Sequence, residues 1–418
     1  MQNKSIIFAF ILFISFWAFP VQALERLPDG QGNIKLGPLE VHPSISIKET
    51  YTDNVYLSYD GLRDRSDWIT TVSPGIAVVL PLRRHSIKAG YQADINYYNK
   101  HDENDYVHQV AFASLNLDFP GGLTIEVSDR FTDSETVRKW KKIRGVSGAA
   151  DPYRDKPYQA NDFFAKAKYQ FADRWAVATW YNFYNYEYDN RYNNTGDYDR
   201  HTVGGSLYYR LTAKTEALLE YSYSRVDYPQ DDFHDNKNHT IYTGFGFDPT
   251  AKLSGYIKLG WTQKKYDDKR ERTGSRIHKD DKIDEFSTQV DLAYKLTPYD
   301  TIKLKAFRAI EEDEDTNEPH TRDDYSIGYS HILSMNEKIR LNAILGYGKN
   351  DFDGRTFDTD GRLKHRNDDI YYATLGVDYA MQRWLLWNVG YTYMDRDSNF
   401  IRYDYDENRF FVKGTVHF

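Results

Sequence analysis

The side chains that could do chemistry in this 418-residue chain fall into three groups. The 12 histidines are scattered. No H-E-x-x-H, G-x-S-x-G or phosphate-binding loop accompanies them, so neither metal hydrolysis, nucleophilic acyl transfer nor nucleotide chemistry has its residues. His201 and His239 lie near the ends of alternating segments, where a hydrolase built on a rim would place them; the plainer reading is isolated polar residues. The second group is the acid-dense run 311–324 (EEDEDTNEPHTRDD). It lacks the D-x-D-x-D-G spacing of a calcium loop, and Asp351-Phe352-Asp353-Gly354 is only a fragment of one, so the expectation is a solvated loop with no metal and no cofactor.

The third group is the informative one. Lys88, Lys166, Lys168, Lys258, Lys303, Lys305, Arg340 and Lys413 share a face with Asp94, Glu126, Glu216, Glu220, Asp291 and Asp378. Phe164, Tyr208, Tyr242, Tyr256, Phe307, Tyr372 and Phe411 fall on that same face. Sugar rings pack their C–H faces on aromatic rings while their hydroxyls bond charged neighbours, so such a wall suits a glycan that slides. A slight basic bias would favour acidic solutes. The alternative is a charge-balanced wet wall stiffened by cross-strand aromatic pairs.

These residues are positioned by segments of period-2 alternation. In residues 285–295, Phe286, Val290, Leu292 and Tyr294 oppose Glu285, Ser287, Gln289, Asp291 and Lys295. In residues 86–97, Ile87, Ala89, Tyr91, Ala93, Ile95 and Tyr97 alternate with Ser86, Lys88, Gly90, Gln92, Asp94 and Asn96. The connections alternate too. Short turns such as Pro120-Gly121-Gly122 and Asp248-Pro249-Thr250 take turns with long charged ones at 52–66, 133–158, 267–282, 311–322 and 352–367. Short turns on one rim and long loops on the other define an all-β, transmembrane, antiparallel up-and-down β-barrel. The count is about 18 strands, from 41–51 to 405–418, with both termini on the periplasmic side. Such a barrel is about 35 Å across, too wide for side chains to fill. The loop 133–158, basic through Arg138, Lys139, Lys141, Lys142 and Arg144, is the candidate for an inward constriction, with a plain surface loop as the alternative.

Composition fits. Mean hydropathy is −0.73 and net charge −8, yet the chain has 36 Tyr, 23 Phe and 8 Trp. No apolar run outside the N-terminus could form a membrane helix. Zero Cys excludes a disulfide scaffold, and the acidic balance disfavours nucleic acid. The tyrosine excess reads as girdles at the headgroup level, with Trp68, Tyr97, Tyr98, Trp175, Tyr186, Tyr188, Tyr221, Tyr223, Trp261, Tyr294, Tyr391 and Tyr393 as members. Residues 1–23 read as a signal peptide: Lys4, an apolar stretch Ile6–Phe19, and a cleavage site near Ala23. Residues 24–40 would be a short periplasmic segment and 41–418 the barrel, placed in the outer membrane. Phe418 ends an alternating strand with Val416, resembling the signal read by the barrel assembly machinery, though Lys413 stands where that signal carries the glycine found here at Gly414.

The opening Leu39-Glu40-Val41-His42-Pro43-Ser44-Ile45-Ser46-Ile47, followed by Tyr51-Thr52-Asp53-Asn54-Val55-Tyr56, resembles the putative β-barrel porin 2 family. The resemblance implies association with exopolysaccharide or capsule production, and no set of binding residues comes with it. The expectation is a passive outer-membrane porin for polysaccharide export, not an enzyme. Its expected partners are outer-membrane lipid and lipopolysaccharide, the assembly machinery, the polysaccharide and periplasmic export proteins. A general solute-uptake porin, a structural or adhesive barrel and a rim enzyme stay open as alternatives.

Overall fold

In the computed structural model, the described residues are 34–57, 59, 66–136, 156–189, 196–230, 234–267, 282–312, 319–334, 337–358, 361–401 and 403–418. The signal segment and the basic loop of residues 138–144 lie outside them. The strands are β1 (Ile34–Leu36), β2 (Leu39–Thr52), β3 (Asp67–Leu82), β4 (His85–Tyr98), β5 (Tyr106–Asp118), β6 (Leu123–Thr136), β7 (Lys156–Gln170), β8 (Trp175–Tyr188), β9 (Tyr198–Thr212) and β10 (Thr215–Asp227). They continue as β11 (Asn236–Phe247), β12 (Leu253–Tyr266), β13 (Lys282–Lys295), β14 (Asp300–Glu312), β15 (Pro319–Ile332), β16 (Ile339–Phe357), β17 (Leu363–Gln382), β18 (Leu385–Ser398) and β19 (Tyr405–His417).

Each strand from β2 to β19 pairs antiparallel with its sequence neighbours, and β19 pairs back onto β2, from Arg409↔Thr52 to His417↔Ser44. The ring is therefore closed with 18 strands and no free edge, as expected. Three boundaries differ. The first barrel strand starts at Leu39 rather than residue 41, and before it β1 forms a hairpin with β2 across Gly37, in the left-handed region at φ 65°. The loop 352–367 is mostly strand, since β16 runs to Phe357 and β17 starts at Leu363. Both ends of the acidic run 311–324 are strand as well, with Glu311 and Glu312 in β14 and Arg322, Asp323 and Asp324 in β15; residues 313–318 lie outside the described residues.

Alternation sorts the side chains as the pattern demands. Outside, Ile45, Ile76, Leu207, Leu219, Leu259, Ile327, Leu345, Leu375 and their neighbours are exposed. An apolar band of that extent cannot face water and belongs in lipid. Towards the loop rim, outward tyrosines end the band, and several give their hydroxyl to a polar residue of the adjacent strand. Tyr91 bonds Gln109 (2.6 Å), Tyr347 bonds Asp369 (2.6 Å) and Tyr391 bonds Asn408 (2.6 Å). The girdle is real, but Tyr98, Tyr186 and Tyr188 are not in it. Tyr97 is half exposed while Tyr98 and Tyr188 are buried, because adjacent strand residues face opposite sides. Inside, rings lie flat on glycines of the next strand: Phe112 over Gly90, Trp180 over Gly204, Tyr372 over Gly346 and Phe411 over Gly390, where a methyl group would collide with the ring. These pairs stiffen the wall.

Loop-rim returns recur in one form. A carboxylate of the incoming chain accepts the last backbone N–H of the outgoing strand: Asp105 for Tyr98 (2.6 Å), Asp197 for Tyr188 (2.8 Å) and Asp235 for Tyr228 (2.6 Å). Burial pushes the Asp197 carboxyl above its usual range. Each such acid satisfies a donor that the ladder leaves open.

Candidate functional site

The lumen wall is built by the inward positions of β2 to β19. All fourteen charged residues singled out from the sequence fall at inward register positions, but they do not form one cluster. On β7 to β13, Lys258 bonds Glu220 at 2.9 Å and Lys168 bonds Glu216 at 3.5 Å, with Ser206 donating to Glu220 at 3.1 Å. The Lys258 and Glu220 side chains are only 4% and 10% exposed, so this pair is part of the wall and not a bare charge. Lys166 stands beside Glu126 and Glu220. Tyr208 sits 3.9 Å under the Lys168 ammonium, and Tyr242 and Tyr256 flank that of Lys258 at 5.8 and 5.6 Å. Phe164 packs against Trp180, ring centroids 6.5 Å apart.

Asp291 and Lys305 oppose one another across β13 and β14, 3.7 Å apart and both well exposed, with Lys303 exposed next to them. Further round, Asp378 accepts from Asn342 (2.9 Å) and Asn388 (2.7 Å), beside the exposed Arg340. Lys413 of β19 lies near Asp94 of β4, with Lys48 directly opposite it in register, and Lys88 is two positions below Gly90 on β4. Phe411 and Tyr372 are the glycine-covering rings already described. Phe307 lies 5.9 Å from the Arg322 guanidinium, which bonds Glu311 (3.1 Å) and Asp324 (3.5 Å); Tyr372 donates to Asp324 at 3.1 Å. Among the described residues no group of three or more His, Asp or Glu is arranged to hold a metal.

Two features were not anticipated. At the loop rim the inner faces of β7 to β10 carry a run of tyrosine rings. Tyr158 stacks on Tyr186 (4.9 Å), Tyr186 on Tyr198 (5.8 Å), and Tyr198 meets Tyr228 (5.5 Å). The parity of four neighbouring segments would have shown it, had loop ends not been read as outward girdle. The second is Glu312. Its oxygens accept from Tyr228 (2.5 Å), Asn236 (3.0 Å) and Tyr266 (3.3 Å), and its carboxylate pairs with Lys264 at 2.6 Å. No sequence pattern places Glu312 there, because it sits on the outward parity of β14.

His201 and His239 face outward, bonded to Tyr181 (2.7 Å) and Tyr221 (2.8 Å), and belong to the girdle rather than to any catalytic pair. Val416 faces outward on β19, and Phe418 N–H bonds Pro43 O at 3.0 Å, so the chain end extends the closing ladder.

A closed 18-strand barrel with an apolar outer band, tyrosine girdle and charged lumen defines an outer-membrane channel protein. The family model for "Putative beta-barrel porin 2" matches residues 28–418, and the chain belongs to that family. It is a porin family and not one of enzymes. No relative matches among the curated proteins. Among solved structures, the chain is similar to OccK1 (OpdK) of Pseudomonas aeruginosa, with TM-score 0.50 and 11% identity over 90% of this chain and 99% of that one. It also matches the FrpB iron transporter of Neisseria meningitidis, with TM-score 0.46 and 9% identity over 85% of this chain and 62% of that one. At these identities the likeness is one of fold.

Proposed function

We propose that this porin passes polysaccharide outward across the outer membrane. The observation that supports this is the tyrosine run Tyr158–Tyr186–Tyr198 on the inner face of the loop rim, backed by the buried Tyr228 and standing over a lumen where lysine–carboxylate pairs alternate with Phe164, Tyr256, Phe307, Tyr372 and Phe411. Stacked rings offer weak, repeated contacts to sugar C–H faces, and the paired charges offer hydroxyl partners without net attraction strong enough to hold the chain. Tyr208 and Tyr242 are 3% and 7% exposed and serve mainly as wall. In this reading the short-turn rim and both chain termini face the periplasm, cleavage falls near Ala23, residues 24–40 precede the barrel of 41–418, and Phe418 addresses the assembly machinery. Lipopolysaccharide contacts the loop rim, and periplasmic export proteins deliver the glycan.

The test is deletion of the gene with measurement of cell-associated and secreted glycan, then complementation with Tyr186→Ala/Tyr198→Ala. Secreted glycan should fall on deletion and stay low with the double variant at normal barrel levels. Unchanged glycan on deletion sinks the export reading. A general uptake porin is the second reading, favoured by the ion pairs that fill much of the β7–β13 wall; conductance together with small-solute swelling assays and unchanged glycan would select it.

A further inference from the structure

The wall is closed but not zipped everywhere. β13 and β14 are joined by a tight turn and pair from Lys295↔Thr301 up to Thr288↔Arg308, where the ladder stops. Both strands continue past that point, β13 to Lys282 and β14 to Glu312. Each stays paired on its other side, β13 with β12 to Lys282↔Lys265 and β14 with β15 to Glu312↔Pro319. The split has a direction. Arg308 is on the outward parity of β14, yet it bonds Glu285 (3.0 Å), which is on the inward parity of β13, as well as Asp323 (2.6 Å). Glu312, also on the outward parity, bonds Asn236, Lys264 and Tyr266 on the inward faces of β11 and β12. The outward face of the end of β14 therefore lies against the inward face of β11 to β13: the strand end overlaps the wall on the lumen side, across the mouth.

The cause is legible in the register. Continuing the ladder beyond Thr288↔Arg308 would set Phe286 opposite Ile310, Glu285 opposite Glu311 and Asp284 opposite Glu312. The apolar pair favours zipping, and the two like-charge pairs directly opposite oppose it. In the split arrangement every one of those acids is compensated: Glu285 by Arg308, Glu311 by Arg322, Asp284 by Lys282 (2.7 Å) and Glu312 by Lys264.

We propose that the end of β14 is a gate of the pore mouth with two positions: the overlapped one, held by Glu312 and Arg308, and a zipped one, in which the ladder runs on against β13 and the mouth widens. The gate rests on the porin reading, but its movement can be read without conductance. Because the chain has no cysteine, Phe286→Cys/Ile310→Cys reports zipping alone: the two residues are directly opposite only in the zipped register, within disulfide reach there. With the full-length protein in liposomes under oxidant, the disulfide should form slowly in this background, and several-fold faster when Asp284→Lys/Glu285→Lys replaces the like-charge pairs by opposite ones. In planar bilayers the oxidised protein should conduct at least twofold more than the same protein after reduction. No disulfide in either background, or a disulfide that leaves a measurable conductance unchanged, overturns the gate. If the cysteine protein does not fold, judged by heat-modifiable gel mobility, Glu312→Gln decides: a larger conductance supports the gate and an unchanged one overturns it. Bilayers sealed by every folded variant, with the disulfide still forming, overturn the channel rather than the strand movement.

Discussion

Two seams of the barrel behave in opposite ways. The closing seam joins β2 and β19, the most distant strands in sequence, and it is fastened at its loop end. Asp53 accepts from the Asn408 N–H and side-chain amide (2.7 Å each), Thr52 donates to Glu407 (2.7 Å), and Asn54 donates to the Asp406 carbonyl (2.8 Å). Val55 is buried against Tyr98 just above. The β13–β14 seam joins neighbours through a short turn, and it comes apart at that same end. A turn sets register cheaply at one rim but has no hold on the other; the far end is decided by which side chains meet there. The Thr52-Asp53-Asn54-Val55-Tyr56 stretch that carried the family resemblance is thus a clasp, and it replaces the turn that the closing strands lack.

Breaking the clasp should therefore have the largest effect. Glu407 is 1% exposed and holds both Thr52 and Arg409 (2.7 Å). Glu407→Ala takes the shared acceptor from the buried Thr52 hydroxyl and from the Arg409 guanidinium, and the expected loss is about 2–3 kcal/mol. The measurement is urea unfolding of the refolded barrel, with a lower midpoint and more of the heat-sensitive form. A midpoint like that of the parent would mean that the ladder alone closes the ring.

The split seam should be less sensitive. Arg308→Ala leaves Glu285 and Asp323 without their shared cation, but the arginine is about a third exposed and water can take its place. A cost of about 1–2 kcal/mol is expected. A loss as large as that of Glu407→Ala would show that Arg308 fastens the wall as firmly as the clasp does, and the contrast between the seams would go.

Much of this contrast was readable in residues and the rest was not. Alternation placed Lys88, Lys166, Lys258 and Lys413 inward and Phe410, Val412 and Val416 outward, because a strand with one wet and one lipid face records its orientation in every second residue. The same rule, applied strictly, would have kept Tyr98, Tyr186 and Tyr188 out of the girdle: Tyr97 and Tyr98 cannot both face lipid. Loop composition misled at the two ends of 311–324 and over most of 352–367, where Glu311, Glu312, Arg322, Asp323, Lys364 and Arg366 are strand residues of a wall that rises past the membrane band. Glu312 was beyond reach, since its partners on β10 to β12 depend on a split that no single segment encodes; only the register of β13 against β14 exposes the opposed acids. The Asp53 clasp was visible as a motif, but its partner Asn408 lies at the other end of the chain.

The girdle supplies a smaller effect, common to both seams. The Tyr221 hydroxyl is hydrogen-bonded to His239 Nδ1 at 2.8 Å from an exposed outward position. Tyr221→Phe keeps the ring at the headgroup level and loses one hydrogen bond, so the unfolding midpoint should move by about 0.5–1 kcal/mol. A shift as large as that of Glu407→Ala would mean that the girdle, and not the clasp, sets stability at the loop rim.

The smallest effect belongs to the short-turn rim. In the β11–β12 turn, Asp248 accepts from the N–H and hydroxyl of Thr250, both at 2.6 Å, and these bonds hold its carboxyl below the usual range. The sign follows from linkage: a carboxylate depressed in the folded state contributes stability above its unfolded value of about 3.9, and loses it as pH falls through the lower folded value. Asp248→Asn should lower the midpoint slightly at neutral pH, by about 1 kcal/mol or less, and parent and variant should converge as pH falls through the depressed folded value. Because the β11–β12 ladder continues from Phe247↔Gly255 to Asn236↔Tyr266 with no opposed acids, weakening its turn should leave that seam zipped and pore conductance unchanged. A variant whose conductance rose would show that turns do govern the far rim, and the like-charge pairs of β13 and β14 would no longer be needed to explain the split.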